Sequence, residues 1–260
     1  MHSDLNDQSR DYIISSSGAN VSFYPLNFNY FGSIKFAYPP IYYYRILLPE
    51  IHSSIERLLY IDTDIICERN LLDLKQFDKV LEELVGLGVL DNDNARVGRE
   101  LDIPFYVNTG FLYLNLALAR RIKFTEKVLH RCDGNFYTDI GHDQRGLNQV
   151  FSGTEILPRL DQTWNLQLPV PESLDVLPRG ARVLHITGPF KPWTYTCALI
   201  WWEAFRAYLP EDWAIPRKMP TNAVGCVFAG NMAAREGRDS FRPPVFPFGG
   251  RAGESKQKPR

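Results

Sequence analysis

Cysteine is scarce in this chain of 260 residues: Cys67, Cys132, Cys197 and Cys226 lie far apart and form no CxxC pair. That spacing excludes a zinc knuckle, and so few thiols fit a reduced, cytosolic setting. Long apolar runs are missing as well. None approaches the ~20 residues that a membrane-spanning helix needs. The opening MHSDLNDQSRDY is polar and acidic and reads unlike a secretory leader. An excess of positive charge is also lacking: the formal net charge is −1, which excludes a dedicated nucleic-acid binder. Internal repeats are absent.

What is present is ordinary globular composition, 45% hydrophobic and 23% charged, in a length that suits one large domain or two small ones. Such a chain can bury a sizeable core. Its charge is uneven. Residues 216–260 hold nine Lys/Arg against three Asp/Glu, so this stretch carries +6 and the remainder −7. It mixes Gly, Pro, Arg and Ser without periodicity and reads as a basic, disordered tail. Residues 1–215 read as the folded domain.

Along that domain, Ser15-Ser16-Ser17-Gly18 is a turn-like cluster. Residues 21–26 predict a short strand. The aromatic-rich stretch IYYYRILLPE (41–50) predicts a helix stopped near Pro49. A strand follows at 57–61. Asn70 is placed to cap a short helix at 71–77. Residues 84–90 form another apolar run. FYVNTGFLYLNL (105–116) gives two apolar pieces around Asn108-Thr109-Gly110, and Asn so close to Gly predicts a turn. Helical patterns cover 117–132, 139–151 and 199–209, and short strands 155–157 and 182–186. Alternating strands and helices predict an α/β sheet domain.

The chemistry concentrates at few points. In Leu58-Leu59-Tyr60-Ile61-Asp62-Thr63-Asp64-Ile65-Ile66 an apolar strand delivers two carboxylates, spaced i and i+2, at its C-terminal end. Open α/β sheets bind ligands at that edge. Two hard oxygen ligands there suit Mg²⁺ or Mn²⁺, which bridges nucleotide phosphates. Asp-x-Asp also turns up by chance in turns, and Asp91-Asn92-Asp93 is a second example. HITGPFKPW (185–193) is more specific. His185 at a strand end offers a third ligand through neutral imidazole. Gly188 lets backbone amides approach a phosphate, and Lys191 supplies a point charge for it. The bland alternative is a satisfied histidine and a surface lysine. HDQ (142–144) enters a helix, where Asp143 is either an N-cap or, with Gln144, aimed at a sugar ring.

In their order and spacing, YIDTDII, YVNTGFLYLNL, DQRGLN and HITGPFKPW resemble glycosyltransferase family 8, over about residues 5–215. The likeness is greatest to its bacterial lipopolysaccharide galactosyl- and glucosyltransferase branch. The resemblance implies a GT-A type nucleotide-diphospho-sugar transferase fold, α/β with a mixed central sheet. The family's usual first strand, helix and second strand have no counterpart here, so the fold is expected to be N-terminally incomplete. The resemblance further implies that Asp62, Asp64 and His185 bind Mn²⁺ or Mg²⁺. Gly188 and Lys191 contact the diphosphate of a UDP-sugar, and Arg45 and Thr63 lie with that donor. Asp91, Asn108, Asp143 and Gln144 surround the transferred sugar.

The implied function is retaining transfer of glucose or galactose from the UDP-hexose to a glycan or lipopolysaccharide acceptor. Gln144 is the nearest candidate nucleophile, but a neutral amide is a poor one, so Gln144 and Asp143 orient and stabilise instead. Three further expectations are a cytoplasmic protein, association of the basic tail with the inner membrane surface, and no nucleic-acid partner. Two alternatives stand beside this reading. One is a truncated, non-catalytic relative with a residual metal and nucleotide site. The other is a haloacid-dehalogenase-type phosphatase, which wants Thr or Val two residues after the second Asp, where this chain has Ile66.

Overall fold

A computed structural model describes residues 5–17, 20–26, 28–138, 141–168, 180–188, 195–196 and 217–218. The strands are β1 (Arg57–Ile61), β2 (Ile65–Cys67), β3 (Gly86–Leu90), β4 (Val107–Asn115), β5 (Ile156–Leu157), β6 (Leu166–Gln167), β7 (Val183–His185), β8 (Tyr195–Thr196) and β9 (Arg217–Lys218). The α-helices are α1 (Asp7–Ser17), α2 (Leu48–Ile51), α3 (Asp78–Leu81), α4 (Asn94–Leu101), α5 (Leu116–Arg121), α6 (Phe124–Arg131) and α7 (Asp143–Phe151). A four-stranded mixed sheet has the order β1-β4-β3-β5, and a three-stranded one the order β2-β7-β6. β8 and β9 pair with each other in parallel.

β4 organises the domain. It pairs antiparallel with β1 on one side and β3 on the other, and eight of its nine residues are buried. Successive side chains of a strand point to opposite faces, and the core divides accordingly. Leu112 and Leu114, with Leu58 and Tyr60 of β1, pack among α5, α6 and α7. Phe111 and Tyr113, with Leu59, pack on the other face against Leu74, Leu81, Trp164 and Val183. A sheet covered on both faces explains why these strands read as continuous apolar runs. At Gly88, where the register of β3 shifts, a Cβ would come within 2.4 Å of Val107 Cγ1.

The expected α/β class, the strand at 57–61 and the strands near 155–157 and 182–186 are found. So is the Asn70 cap, whose Oδ1 accepts from the Leu72 N–H at 2.9 Å. Other expectations are corrected. Residues 21–26 form no strand, only one bridge residue. Ser15–Ser17 of the expected turn are instead the end of α1, where Ser15 and Ser17 donate to the carbonyls of Tyr12 and Ile14, and Gly18 lies outside the described residues. Pro49 does not stop its helix. It occupies an early position of α2, where its missing N–H costs nothing, and a 3₁₀ helix, Pro40–Leu47, precedes it. Asn108-Thr109-Gly110 is no turn but lies within the first half of one strand, β4. The helix at 117–132 breaks in two at Lys123, whose φ is 59°. Lys191, the helix at 199–209 and the domain boundary near 216 lie outside the described residues. Of the expected tail only Arg217 and Lys218 are described, and they are paired in β9.

Candidate active site

β1 belongs to one sheet and β2 to the other, so the chain crosses between sheets at Asp62-Thr63-Asp64. Both sheets pin this corner. The Asp62 N–H donates to the Gly110 carbonyl at 2.8 Å, and the Ile186 N–H donates to the Asp64 carbonyl at 2.9 Å. Pairing of β2 with β7 sets Ile65 opposite His185, and this register brings the imidazole back over the two carboxylates. One donor atom from each of Asp62, Asp64 and His185 lies within 4.8 Å of the others. His185 Nε2 is 3.3 Å from Asp64 Oδ1 and 3.8 Å from Asp62 Oδ2. Two carboxylates and an imidazole nitrogen are a donor set for Mn²⁺ or Mg²⁺, and they fit such an ion. Gly110 permits the approach: a Cβ there would sit 2.2 Å from His185 Cε1 and 2.7 Å from Asp62 Oδ2.

Arg45, from the 3₁₀ helix, fixes the opposite side of Asp62. Its Nη2 pairs with Asp62 Oδ1 at 3.0 Å and its Nε with Asp143 Oδ2 at 2.9 Å, while Nη1 donates to the Thr109 carbonyl at 2.8 Å. Burial works against this charge, but Asp143, Tyr60 and Asp62 together hold the guanidinium pKa above its ordinary value. Tyr60 donates to Asp62 Oδ1 at 2.6 Å. Burial and the Asp62 carboxylate push that phenol well up, against the pull of Arg45, so it stays a donor. Asp62 is thus oriented, with Oδ1 taken and Oδ2 turned toward His185.

A second set of groups lies along β4. Asn108 Nδ2 and Gln144 Nε2 both donate to Asp91 Oδ2, each at 3.0 Å. Gln144 Oε1 accepts from the Thr109 N–H at 2.9 Å. Asp143 opens α7 as a buried carboxylate paired with Arg45, and no side chain caps this helix. The N-cap alternative for Asp143 therefore fails. Asp91 Oδ1 accepts from the Asp93 N–H at 2.9 Å, which shapes the loop before α4.

A cavity of about 230 Å³ is lined by Arg45, Asp62, Asn108, Thr109, Gly110, Asp143 and Gln144 beneath Tyr38, Tyr42 and His142. A neighbouring one of about 450 Å³ is lined by Asp91, Asp93, Arg96, Glu100, Tyr106 and Arg145. Gln144, Tyr38 and His142 border both. Burial above all pushes the Tyr106 phenol up to about 12, so it faces the second cavity protonated. Burial, with the charge of Asp143, likewise pushes the Cys132 thiol up to about 12, which makes it a packing group and not a nucleophile.

The structure thus brings together Arg45, Asp62, Asp64, Asp91, Asn108, Asp143, Gln144 and His185. Gly188 follows β7 with φ of 80°, a conformation that favours glycine. Thr63 is exposed and lines neither cavity. Sequence reasoning missed Tyr60, Thr109 and Asn165. Thr109 lay within a quoted motif, and its Oγ1 sits 3.3 Å from both Asp143 Oδ2 and Gln144 Oε1. Asn165 carried no signal.

Comparison with known proteins gives one answer. No curated protein matches the chain by sequence. Among solved structures, an active-site mutant of LgtC is 21% identical, with a TM-score of 0.66 over 82% of this chain and 87% of that one. The galactosyltransferase LgtC in complex with donor and acceptor sugar analogues gives 21%, 0.65 and the same coverage. Apo GlyE, a glycosyltransferase of Streptococcus pneumoniae, is 19% identical, with a TM-score of 0.60 over 88% of this chain and 55% of that one. These likenesses establish the fold as the GT-A type. The family model for glycosyl transferase family 8 matches residues 6–197. With all four motifs inside that span and their described side chains converging on one cleft, the chain belongs to glycosyltransferase family 8 and is a glycosyltransferase.

Proposed function

We propose that this glycosyltransferase moves glucose or galactose from a UDP-hexose to a glycan or lipopolysaccharide acceptor, with retention of configuration and dependence on Mn²⁺ or Mg²⁺. The observation that carries the reading is the Asp62, Asp64, His185 cluster, which shares Asp62 with a cavity lined by Arg45, Asn108, Asp143 and Gln144. When bound, the ion supplies positive charge to the donor diphosphate as the sugar departs. Asp62, Asp64 and His185 hold that ion, and Gly188 and Lys191 contact the diphosphate.

The chain's own groups then act on the sugar. Asp91, Asn108 and Gln144 form one hydrogen-bonded set that positions its hydroxyls. Asp143 is neutralised by Arg45, and Gln144 Oε1 is engaged by the Thr109 N–H, so neither is a strong nucleophile. This supports a same-face route through an oxocarbenium-like centre. The bond from the anomeric carbon to the phosphate breaks, the acceptor hydroxyl forms the new bond, and its proton passes to the leaving phosphate. The second cavity meets the first at Gln144, which suits an acceptor beside the donor. The same proposal places the protein in the cytoplasm at the inner membrane surface, held by the basic tail; no described helix is long and apolar enough to cross a membrane.

Calorimetry of UDP binding with and without Mn²⁺ tests the site, with Asp62→Ala/Asp64→Ala as control. Metal-dependent binding that disappears in the control supports it. Metal-independent binding, or binding that survives in the control, rejects it.

A further inference from the structure

His185 must present an unprotonated Nε2 to a metal, yet that nitrogen faces two carboxylates that attract a proton. A neutral imidazole carries its single proton on either nitrogen, and whatever holds the other nitrogen decides which. Here His185 Nδ1 lies 2.9 Å from Asn165 Oδ1. Asn165 is fully buried, just before β6, and His185 is only 3% exposed.

The orientation of the Asn165 amide is forced, because its two ends see different partners. Its Nδ2 donates to Asn108 Oδ1 at 2.9 Å. Asn108 cannot be turned round. Its Oδ1 also accepts from the backbone N–H of Gly110 at 3.0 Å, a group that only donates. Its Nδ2 donates to the carboxylate of Asp91, a group that only accepts. Asn108 therefore offers oxygen to Asn165, Asn165 offers oxygen to His185, and His185 Nδ1 must hold the proton. We infer that Asn165 is a positioning residue that fixes the Nδ1–H tautomer of His185 and so keeps Nε2 open as a ligand atom. The same amide ties the metal end of the cleft to Asp91 and Gln144 through Asn108. This inference rests on the metal-dependent reading of the site, but its central claim concerns the protein without metal.

The test uses ¹⁵N-histidine NMR on the full chain, free of metal and at a pH where the ring is neutral, alongside titration with MnCl₂ alone. The wild-type His185 is expected to show a protonated Nδ1 and a bare Nε2. Asn165→Ala should let the proton move to Nε2 and weaken Mn²⁺ binding about 10–100-fold, the usual effect of losing the hydrogen-bond partner of a ligand histidine. Asn165→Asp keeps an acceptor for the Nδ1 proton and should keep the Nδ1–H tautomer, while its second oxygen meets Asn108 Oδ1 and loses that hydrogen bond. A wild-type ring protonated on Nε2 overturns the inference, and this spectrum decides even if Asn165→Ala does not fold. So does a folded Asn165→Ala protein with unchanged tautomer and affinity. A wild-type Nδ1–H tautomer in a chain that does not bind Mn²⁺ upholds the Asn165 assignment and rejects the metal-dependent reading.

Discussion

Asp62-Thr63-Asp64 and Asp91-Asn92-Asp93 share a spacing and a pair of carboxylates, and both follow an apolar strand. Only the first pair converges with a histidine, because its chain crosses between two sheets there and β7 sets His185 opposite. The second pair closes a turn. Asp91 uses one oxygen on the Asp93 N–H and the other on Asn108 and Gln144, while Asp93 faces outward and pairs with Arg96 at 2.8 Å. The tripeptide is thus neutral as to use. What decides is the strand that pairs with the residue after it.

This contrast can be broken most severely at the first pair. In Asp62→Ala/Asp64→Ala, Mn²⁺-dependent UDP binding should vanish, and turnover should fall on the order of 10³-fold, the several kcal/mol that metal charge is worth to a leaving group. Removal of metal with EDTA should stop wild-type turnover to the same extent and be reversed by added Mn²⁺, read as UDP release. Asp91→Ala leaves the amides of Asn108 and Gln144 without their shared carboxylate. At about 1.5–3 kcal/mol per charged hydrogen bond, kcat should drop at least tenfold. Direct titration should find its Mn²⁺ affinity close to wild type; loss of metal binding would merge the two tripeptides into one site. Gly110→Ala pushes a methyl group into His185 and Asp62. It should weaken Mn²⁺ binding and lower stability by about 1–3 kcal/mol in thermal unfolding. The smallest effect belongs to Asp93→Ala. Its pair with Arg96 is exposed and worth about 0–1 kcal/mol, so Tm and Mn²⁺ affinity should barely move.

Much of the cleft was legible in the sequence for a reason these two tripeptides illustrate. An apolar strand that ends in charge states where its side chains must go, and Asp62, Asp64 and His185 are all strand-end residues. The Asn108 segment misled because Asn and Gly close together favour turns locally. Here Asp91, Asn165 and the Gly110 N–H satisfy the Asn108 amide inside a buried strand. Asn165 could not be read at all. Its partners stand 20 and 57 residues away, and nothing in TWN marks a buried amide. Residues 21–26 read as a short strand, yet among the described residues only Pro25 takes a bridge there.

The corner at residues 62–64 joins the two sheets by covalent chain, and His185 belongs to the second of them. An ion held there would act as a rivet through both layers, since opening either sheet would pull a ligand away. Ligand occupancy and folding would then be linked by mass action, adding about 2.7 kcal/mol at an ion concentration one hundred times its dissociation constant. The melting temperature would thus depend on the divalent-ion content of the solution, and amide protons of β2 and β7 would report it by exchanging more slowly as that content rises.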